Sequence, residues 1–273
     1  MHKAVIKLWG VRGSLARPGK ETMHYGGNTP CLEIRYGDDL IIIDAGTGIY
    51  ELGLCLSKNK KPLKATILFS HYHWDHMIGL PFFVPLYNKQ HFFTIIGRKN
   101  LKKALDNLLC APNFPVNLSD FAARIKLKII GPGKFRIGKI GIEAFNVNHP
   151  NGAFGYKFTF PNGKSLVHIS DAGPGAGGRD ILTDIYSADY LIHDAQFYPE
   201  EYLKRRYFGH SPYHYVLDIA RHAKIKNIVL FHHDPLRTDK DIKKIETGAR
   251  WLARKIGLKS NVRAAHEGMI IKL

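Results

Sequence analysis

Apolar and polar positions alternate along the chain in short runs. The opening segments KAVIKLWG, PCLEIRYG and DLIIIDAG have the β-branched apolar content of strands, with Gly and Asp turns between them. A helix is predicted at about residues 47–57 with Thr47 as its N-cap, and the strand ATILFS follows it. The chain therefore opens as a β-meander and then passes into alternating strands and helices.

The same alternation continues to the last residues. At 98–109, leucines and an alanine share one face, which predicts an amphipathic helix. Further strands are predicted at IKLKIIG, KFRIGKIGIEAFNV, FGYKFTF, KSLVHISD, ADYLIHDA, NIVLFHHD and GMIIKL, and further helices at about 211–223 and 239–256. Since no repeat or Pro/Ser-rich linker interrupts this pattern, we predict a single α/β domain over residues 1–273.

Composition narrows the class of protein. With 273 residues and 45% hydrophobic content, the chain can bury a full core. Its first residues offer no continuous apolar stretch and its apolar runs are only strand-length, so neither a signal peptide nor a membrane span is expected. The cysteines (Cys31, Cys55 and Cys110) are odd in number and far apart, which favours a reducing cytoplasm, and we interpret them as small core residues.

The formal net charge of +17 favours anionic partners. The densest basic segments are RKNLKK at 98–103 and LKRRY at 203–207. A phosphate-rich or nucleic-acid partner and an ordinary solvated surface both fit a charge spread this widely. Charge alone therefore does not identify the substrate.

The segment SHYHWDH, residues 70–76, places three histidines and an aspartate directly after a predicted strand. His71 and His73 project to the same side of the strand end, so their imidazole nitrogens can share one divalent ion. Asp75 and His76 lie beyond a sharp turn and can face a second ion. A histidine-rich surface turn is the alternative, and we favour the metal site.

Three more residues occupy the same kind of position. His149, Asp171 and His232 each follow an apolar strand, at the edge where ligands gather in open α/β sheets. Any one of them alone would more often be a turn residue. Together with the 70–76 segment, they favour one shared metal site.

This order of residues resembles the metallo-β-lactamase superfamily over nearly the whole chain. The resemblance implies a four-layer αβ/βα sandwich, with two mixed sheets face to face, helices on the outer faces and the metal ions at one edge. It implies that one ion is held by His71, His73, His149 and Asp171, and the other by Asp75, His76, Asp171 and His232, so that Asp171 bridges them. Asp44, at the end of LIIID, matches a family aspartate that supports the ligands from behind; a plain turn residue is the alternative.

Residue types separate branches of the superfamily. The main zinc β-lactamases have Cys in place of Asp171, and the flavodiiron proteins have Glu in place of the second cluster histidine; neither matches here. LIHDAQF (191–197) and FGHSPYH (208–214) are similar to elements of the phosphodiesterase branch, which includes RNase Z. The segment 9–34 is similar to phosphodiesterases that open cyclic phosphates and cyclic nucleotides.

The resemblance implies a dinuclear phosphodiesterase acting on a small or cyclic phosphodiester. Two divalent cations neutralise the substrate and acidify a bridging water, whose hydroxide attacks phosphorus. His210, oriented by Asp194, is the expected general acid, and Asp75 is the third expected catalytic residue. Alternatively, His210 is a helix-start residue and Asp194 pairs with a lysine. Imidazole and carboxylate ligands suit zinc first, with manganese or iron as alternatives.

Several alternatives stay open. RNase Z enzymes grip tRNA with a long arm, and residues 150–170 between His149 and Asp171 leave no room for one, so a small anionic substrate ranks above RNA cleavage. Thioester hydrolysis and a non-hydrolytic role are further alternatives. The apolar stretch within 82–130 either overhangs the site or packs on a sheet. We expect a homo-oligomer, specifically a dimer, and no membrane partner.

Overall fold

The computed structural model describes residues 2–59, 61–112, 114–175 and 181–273, and two seven-stranded sheets form its frame. The strands are β1 (Val5–Gly10), β2 (Cys31–Tyr36), β3 (Asp39–Ile43), β4 (Lys64–Leu68), β5 (Phe92–Gly97), β6 (Arg124–Ile129), β7 (Gly133–Ile137), β8 (Ile140–Val147), β9 (Ala153–Thr159), β10 (Ser165–Ile169), β11 (Tyr190–Asp194), β12 (Asn227–Phe231), β13 (Asn261–Ala264) and β14 (Ile270–Lys272). The helices are α1 (Ile49–Ser57), α2 (Leu101–Leu108), α3 (Ile181–Ile185), α4 (Pro199–Arg205), α5 (Tyr213–His222) and α6 (Asp239–Lys255).

Both sheets are mixed. The first runs in the order β14, β1, β2, β3, β4, β5, β6, and its strands from β3 to β6 are parallel. The second runs in the order β13, β12, β11, β10, β9, β8, β7, and its strands from β10 to β13 are parallel. The opening meander predicted from the sequence is the antiparallel set β1, β2 and β3.

Apolar side chains fill three layers around these sheets. Ile41 and Ile43 of β3 lie in the core between the two sheets, with Tyr156 and Phe158 of the second sheet. Ile42, between them in sequence, points to the outer face, because side chains alternate along a strand. Helices α1 and α2 cover that outer face, while α5 and α6 cover the outer face of the second sheet. The predicted four-layer sandwich is thus confirmed.

Local signals explain some helix ends and fail at others. Helix α6 begins with a capping box: the Thr238 hydroxyl accepts a hydrogen bond from the backbone N–H of Asp241, whose carboxylate accepts one from the backbone N–H of Thr238. The prediction that Thr47 caps α1 is wrong. Helix α1 begins at Ile49, and the Thr47 hydroxyl accepts a bond from the backbone N–H of Thr29 instead.

Some other expectations also differ from the structure. Helices α3 and α4 and strands β5 and β13 are absent from the sequence-based predictions. Of the three cysteines, Cys31 is buried but Cys55 is exposed, so the interpretation of all three as core residues is wrong. The stretch after residue 82 packs on the outer face of the first sheet through Phe83 and Leu86, which favours packing over an overhang. None of the helices in the described ranges combines the length and apolar character needed to cross a membrane.

Candidate metal centre

The carboxyl ends of strands from both sheets meet at one edge of the sandwich. There, His71 follows β4 and lies with His73 and His149 in a group whose ligand atoms are all within 4.8 Å of one another. His149 Nε2 lies 3.1 Å from His73 Nδ1. Asp171 Oδ2 lies 3.8 Å from Nε2 of both His71 and His149, which puts its carboxylate beside this all-imidazole group.

A second group contains Asp75, His76, Asp171 and His232, again with ligand atoms within 4.8 Å of one another. Asp75 and His76 lie on a single 3₁₀ turn. His76 Nε2 is 3.1 Å from Asp171 Oδ1, and His232 Nε2 is 3.3 Å from Asp171 Oδ2. Since Asp171 is adjacent to both groups, the structure brings together all seven residues predicted as ligands.

Several atoms at the centre of these groups are buried and make no hydrogen bond. They are His71 Nε2, His76 Nε2 and Asp171 Oδ1. Leaving such atoms unsatisfied costs roughly 1–3 kcal/mol each. Imidazole nitrogens and a carboxylate are ligands that bind divalent metal ions, so the residues fit a dinuclear metal site.

The local charges have opposite effects on neighbouring histidines. Burial lowers the pKa of His71 well below its ordinary value, and the nearby His76 lowers it further. Burial also disfavours the charged form of His76, but the carboxylates of Asp171, Asp75 and Asp44 raise its pKa well above the ordinary value. Burial thus favours the neutral imidazole of His71, the form that binds metal, whereas the three carboxylates favour positive charge at the position of His76.

Asp44, predicted to support the ligands from behind, lies next to His76 in the structure. It follows β3 in a left-handed conformation (φ 60°) and is fully buried. Its carboxylate accepts hydrogen bonds from the backbone N–H and the hydroxyl of Ser70, at 2.7 and 2.8 Å, and contacts His76 Nδ1 at 2.9 Å. Asp44 thus orients the ring of His76 and leaves Nε2 facing Asp171.

Two supporting contacts were not predicted from the sequence. His232, also left-handed (φ 59°), contacts the amide oxygen of Gln196 through Nδ1 at 3.0 Å. The backbone N–H of Ser14 donates to Asp75 Oδ2 at 2.9 Å. The sequence carries a signal for the first contact, because Gln196 lies in LIHDAQF, two residues after Asp194. It carries none for the second, because Ser14 makes the contact through its backbone N–H and not through its side chain.

His210 and Asp194, predicted as a pair, are in contact. His210 Nδ1 lies 2.8 Å from Asp194 Oδ2, and the His210 ring stacks on His232 with centroids 4.9 Å apart. Asp194 is fully buried and also accepts from the backbone N–H groups of Ala172 and Gln196. Burial opposes protonation of His210, but Asp194 raises its pKa to about 9.

Five further histidines lie outside the two ligand groups. They are His168, His193, His214, His233 and His266. His233 Nε2 contacts the carbonyl oxygen of Ala265, and His168 packs edge-on against Phe231 in the interior. These contacts are those of packing residues.

Exposed aromatic side chains occur in two segments that carry or adjoin residues of the centre. Trp74, between His73 and Asp75, is 80% exposed, and Tyr207 and Phe208 are 71% and 51% exposed. The rings of Tyr207 and Phe208 are in contact, with centroids 4.7 Å apart. The segment that carries them adjoins the centre, because the carbonyl oxygen of the next residue, Gly209, contacts His149 Nδ1 at 2.9 Å.

Comparison with known proteins places this geometry in a wider context. Residues 40–233 match the family model of the beta-lactamase superfamily domain. The chain is 24% identical to ribonuclease Z of Pyrococcus horikoshii, in a match that covers 79% of this chain and 84% of that protein.

Two solved structures are similar over nearly their whole length. The metallo-beta-lactamase fold protein YhfI from Bacillus subtilis has a TM-score of 0.76 at 17% identity, covering 99% of this chain and 100% of that one. A diphosphatase from the PhnP family has a TM-score of 0.73 at 17% identity, covering 99% and 98% of the respective chains. At these identities, the two structures support the fold alone.

Proposed function

The chain belongs to the metallo-β-lactamase superfamily and is a metal-dependent hydrolase, and we propose that it hydrolyses a small or cyclic phosphodiester, such as a cyclic nucleotide or a cyclic phosphate. The observation that carries this proposal is the buried His210–Asp194 pair beside the two ligand groups. An acid is needed there because the alkoxide leaving group of a phosphodiester has a high proton affinity.

In this proposal, two groups of side chains hold two divalent ions, with zinc the first expectation. His71, His73, His149 and Asp171 form one group, and Asp75, His76, Asp171 and His232 form the other. When bound, such ions neutralise phosphoryl oxygens and lower the pKa of a coordinated water toward neutrality.

The residues around the ligands provide positioning and proton transfer. Asp194 holds Nδ1 of His210, so Nε2 is the nitrogen left to donate a proton to the substrate. With its pKa raised to about 9, His210 carries that proton at neutral pH. Asp44 and Gln196 fix the ring orientations of His76 and His232. Asp75 is held in turn by the backbone N–H of Ser14.

Exposed aromatic residues close in sequence to the centre favour a substrate with a planar ring. Trp74, Tyr207 and Phe208 expose large aromatic surfaces beside the ligand residues. Such surfaces mark binding sites, and base stacking on an aromatic side chain contributes about 1–3 kcal/mol per base. Among small phosphodiesters, this favours nucleotides over compounds without a base.

RNA cleavage is the second candidate function. The match to ribonuclease Z and the net charge of +17 favour it. Against it, the chain between His149 and Asp171 is filled by β9, β10 and their turn, so it offers no arm at that place for gripping tRNA. Salt separates the two candidates, because an extended RNA contact weakens by orders of magnitude as salt rises whereas a single phosphate responds weakly.

Hydrolysis of bis(p-nitrophenyl) phosphate tests the proposal. Purified protein reconstituted with zinc or manganese should turn it over, Asp75→Ala should abolish turnover, and His210→Ala should lower it. Asp218→Ala and His222→Ala, which alter exposed side chains of α5, are matched controls that should behave as wild type. Absence of turnover in protein with two bound metal ions would contradict the proposal and favour thioester hydrolysis or a non-hydrolytic role. Cytoplasmic location and dimer formation stay predictions.

A further inference from the structure

A cleft lies at the end of the sandwich opposite the metal centre. It has a volume of about 800 Å³ and lies where β3, β4 and β7 approach each other. Asp39, which begins β3, lines it, and Asp44, which follows β3, belongs to the centre. Five residues of extended chain separate the two places by about 16 Å. We call it the basic cleft, since its lining includes Arg35, Lys61, Lys64, Lys126, Lys128 and Arg136.

Strand register shows that part of this lining belongs to the inner face of the first sheet. Leu68 and Ile96 pair across β4 and β5, and both lie in the core between the sheets. Residues two positions apart share a face, so Thr66 on β4 and Thr94 on β5 also point inward. Lys126 on β6 pairs with Thr94 and continues this row. At this end of the sandwich, hydroxyl and ammonium groups therefore take the place of the apolar side chains that pack between the sheets elsewhere.

Lysines on edge strands commonly serve another purpose, which is to prevent sheets from joining edge to edge. That explanation covers β6 and β7, the edge strands of the two sheets. It does not cover Lys64 and Thr66, because β4 lies in the interior of the first sheet, between β3 and β5. Thr66 is only 9% exposed, and within the described residues its hydroxyl makes no hydrogen bond.

The charge in the cleft is largely uncompensated. Six lysine and arginine side chains line it, against the two carboxylates of Asp38 and Asp39. Asp39 already accepts a hydrogen bond from the backbone N–H of Lys139. Arg35 pairs with Glu33, but Lys64 and Lys126 have no ion pair in the part of the chain that the structure describes. The cleft thus presents a positive wall with free donors.

We propose that the basic cleft binds a small ligand with several phosphate groups, of the size of a nucleoside triphosphate. Its volume lies within the range of small-molecule sites, roughly 300–1,000 Å³. Thr66 is in register with Lys126 through Thr94, and Lys64 lies two residues before Thr66. The Cα atoms of Lys64 and Lys126 are therefore about 12 Å apart, which exceeds one phosphate and suits a chain of phosphates. The hydroxyls of Thr66 and Thr94 lie between them as donors to phosphate oxygens.

Calorimetric titration of the metal-loaded protein with inorganic tripolyphosphate tests this inference. The metal centre also attracts phosphate, so the titration can show two binding sites. The relevant affinity is that of the site lost when cleft residues are substituted. Lys126→Gln/Lys128→Gln should weaken that event by at least about tenfold. Thr66→Val, which keeps the shape and the net charge, should weaken it to a smaller extent. Lys99→Gln/Lys103→Gln removes the same charge outside the cleft and should leave it unchanged.

Three results would overturn the inference. One is equal tripolyphosphate affinity in all variants. Another is an equal loss in the two double variants, which would show only the effect of net charge. The third is a loss confined to single-stranded RNA oligomers, which would make the cleft a nucleic-acid surface instead of a small-molecule site. Each result is independent of phosphodiester hydrolysis at the metal centre.

Discussion

Two aspartates at opposite ends of the second sheet have similar burial and opposite surroundings. Asp171 follows β10 and is 2% exposed, while Asp189 precedes β11 and is 6% exposed. The carboxylate of Asp189 accepts hydrogen bonds from the backbone N–H of Ser165 and from the ammonium groups of Lys164 and Lys226. Asp171 Oδ1 is buried without a hydrogen bond, although His76 Nε2 lies 3.1 Å away.

The difference separates a stabilising charge from a ligand. A buried carboxylate whose lone pairs are filled by protein donors contributes to stability and has little capacity for another partner. A buried carboxylate among imidazole nitrogens lowers the free energy of the folded protein only when a cation completes its coordination. Asp171 should therefore matter for metal binding and catalysis, and Asp189 for folding.

Asp171→Ala should have the largest effect. Since Asp171 is adjacent to both ligand groups, we expect loss of both metal ions and a fall in turnover of about 10⁴-fold or more, because metal ions contribute several kcal/mol to transition-state stabilisation. Asp189→Ala is the matched control and should keep wild-type turnover. Elemental analysis and bis(p-nitrophenyl) phosphate hydrolysis measure both quantities. Two bound metal ions in Asp171→Ala would contradict its role as the bridging ligand.

Metal removal should have the next largest effect, and on stability. An ion present at a thousand times its dissociation constant stabilises the folded state by about 4 kcal/mol, so chelation should lower the thermal unfolding midpoint of the wild type. Asp171→Ala should show no such drop, because it binds no metal, whereas Asp189→Ala should show the full drop. Calorimetry with and without chelator measures it. An equal drop of the unfolding midpoint in Asp171→Ala and Asp189→Ala would contradict the distinction between a metal-binding and a stabilising aspartate.

His210→Ala tests the residue that we propose as the general acid. We expect turnover to fall about a hundredfold to a thousandfold, within the range of general acid catalysis, with both metal ions retained. The loss should be smaller for bis(p-nitrophenyl) phosphate than for a substrate with an alkoxide leaving group, since p-nitrophenolate needs less protonation. If metal content falls as well, His210 is a ligand, which its place in a group with His149 and Asp171 also allows.

Asp44→Asn extends the comparison to the first sheet. Asp44 follows β3 and orients His76, and Asp39 at the start of the same strand accepts a bond from the backbone N–H of Lys139. Loss of such an orienting carboxylate weakens metal affinity by about 10–100-fold. Competition with a coloured chelator should show this for Asp44→Asn and no change for Asp39→Asn. Similar affinities in both variants would reduce Asp44 to a turn residue.

The sequence predicts that the seven candidate ligands lie together, because its signal is local. Each predicted ligand follows an apolar run, and parallel strands bring such positions to one edge. The supports of that edge come from distant chain segments. The backbone N–H of Ser14 and the carbonyl of Gly209 carry no residue-specific signal, so their contacts with Asp75 and His149 appear only in the folded protein.

Elements without periodic apolar residues also escape prediction. Helix α4 buries none of its side chains, and so has no apolar face to recognise. Strand β13 buries only Val262 and Ala264 and is too short to establish an alternation. Thr47 has the residue type of an N-cap. Its hydroxyl oxygen, however, accepts a hydrogen bond from the backbone N–H of Thr29 instead of capping α1. In each case, packing from elsewhere decides the structure.

The smallest expected effect belongs to Asp189→Asn. Burial opposes ionisation of Asp189, but hydrogen bonds from Lys226, the backbone of Ser165 and Lys164 lower the pKa of its carboxyl group below the ordinary value. Its contribution to the free energy of unfolding, about 1 kcal/mol because both lysines are partly solvated, is therefore present above the unfolded-state pKa near 3.9. As pH falls below about 4, the wild type takes up the proton and the difference between wild type and Asp189→Asn should shrink. Urea unfolding at pH 7 and pH 3 measures the difference. If Asp189→Asn is still less stable than the wild type at pH 3, the packing of Asp189, and not its charge, stabilises the protein.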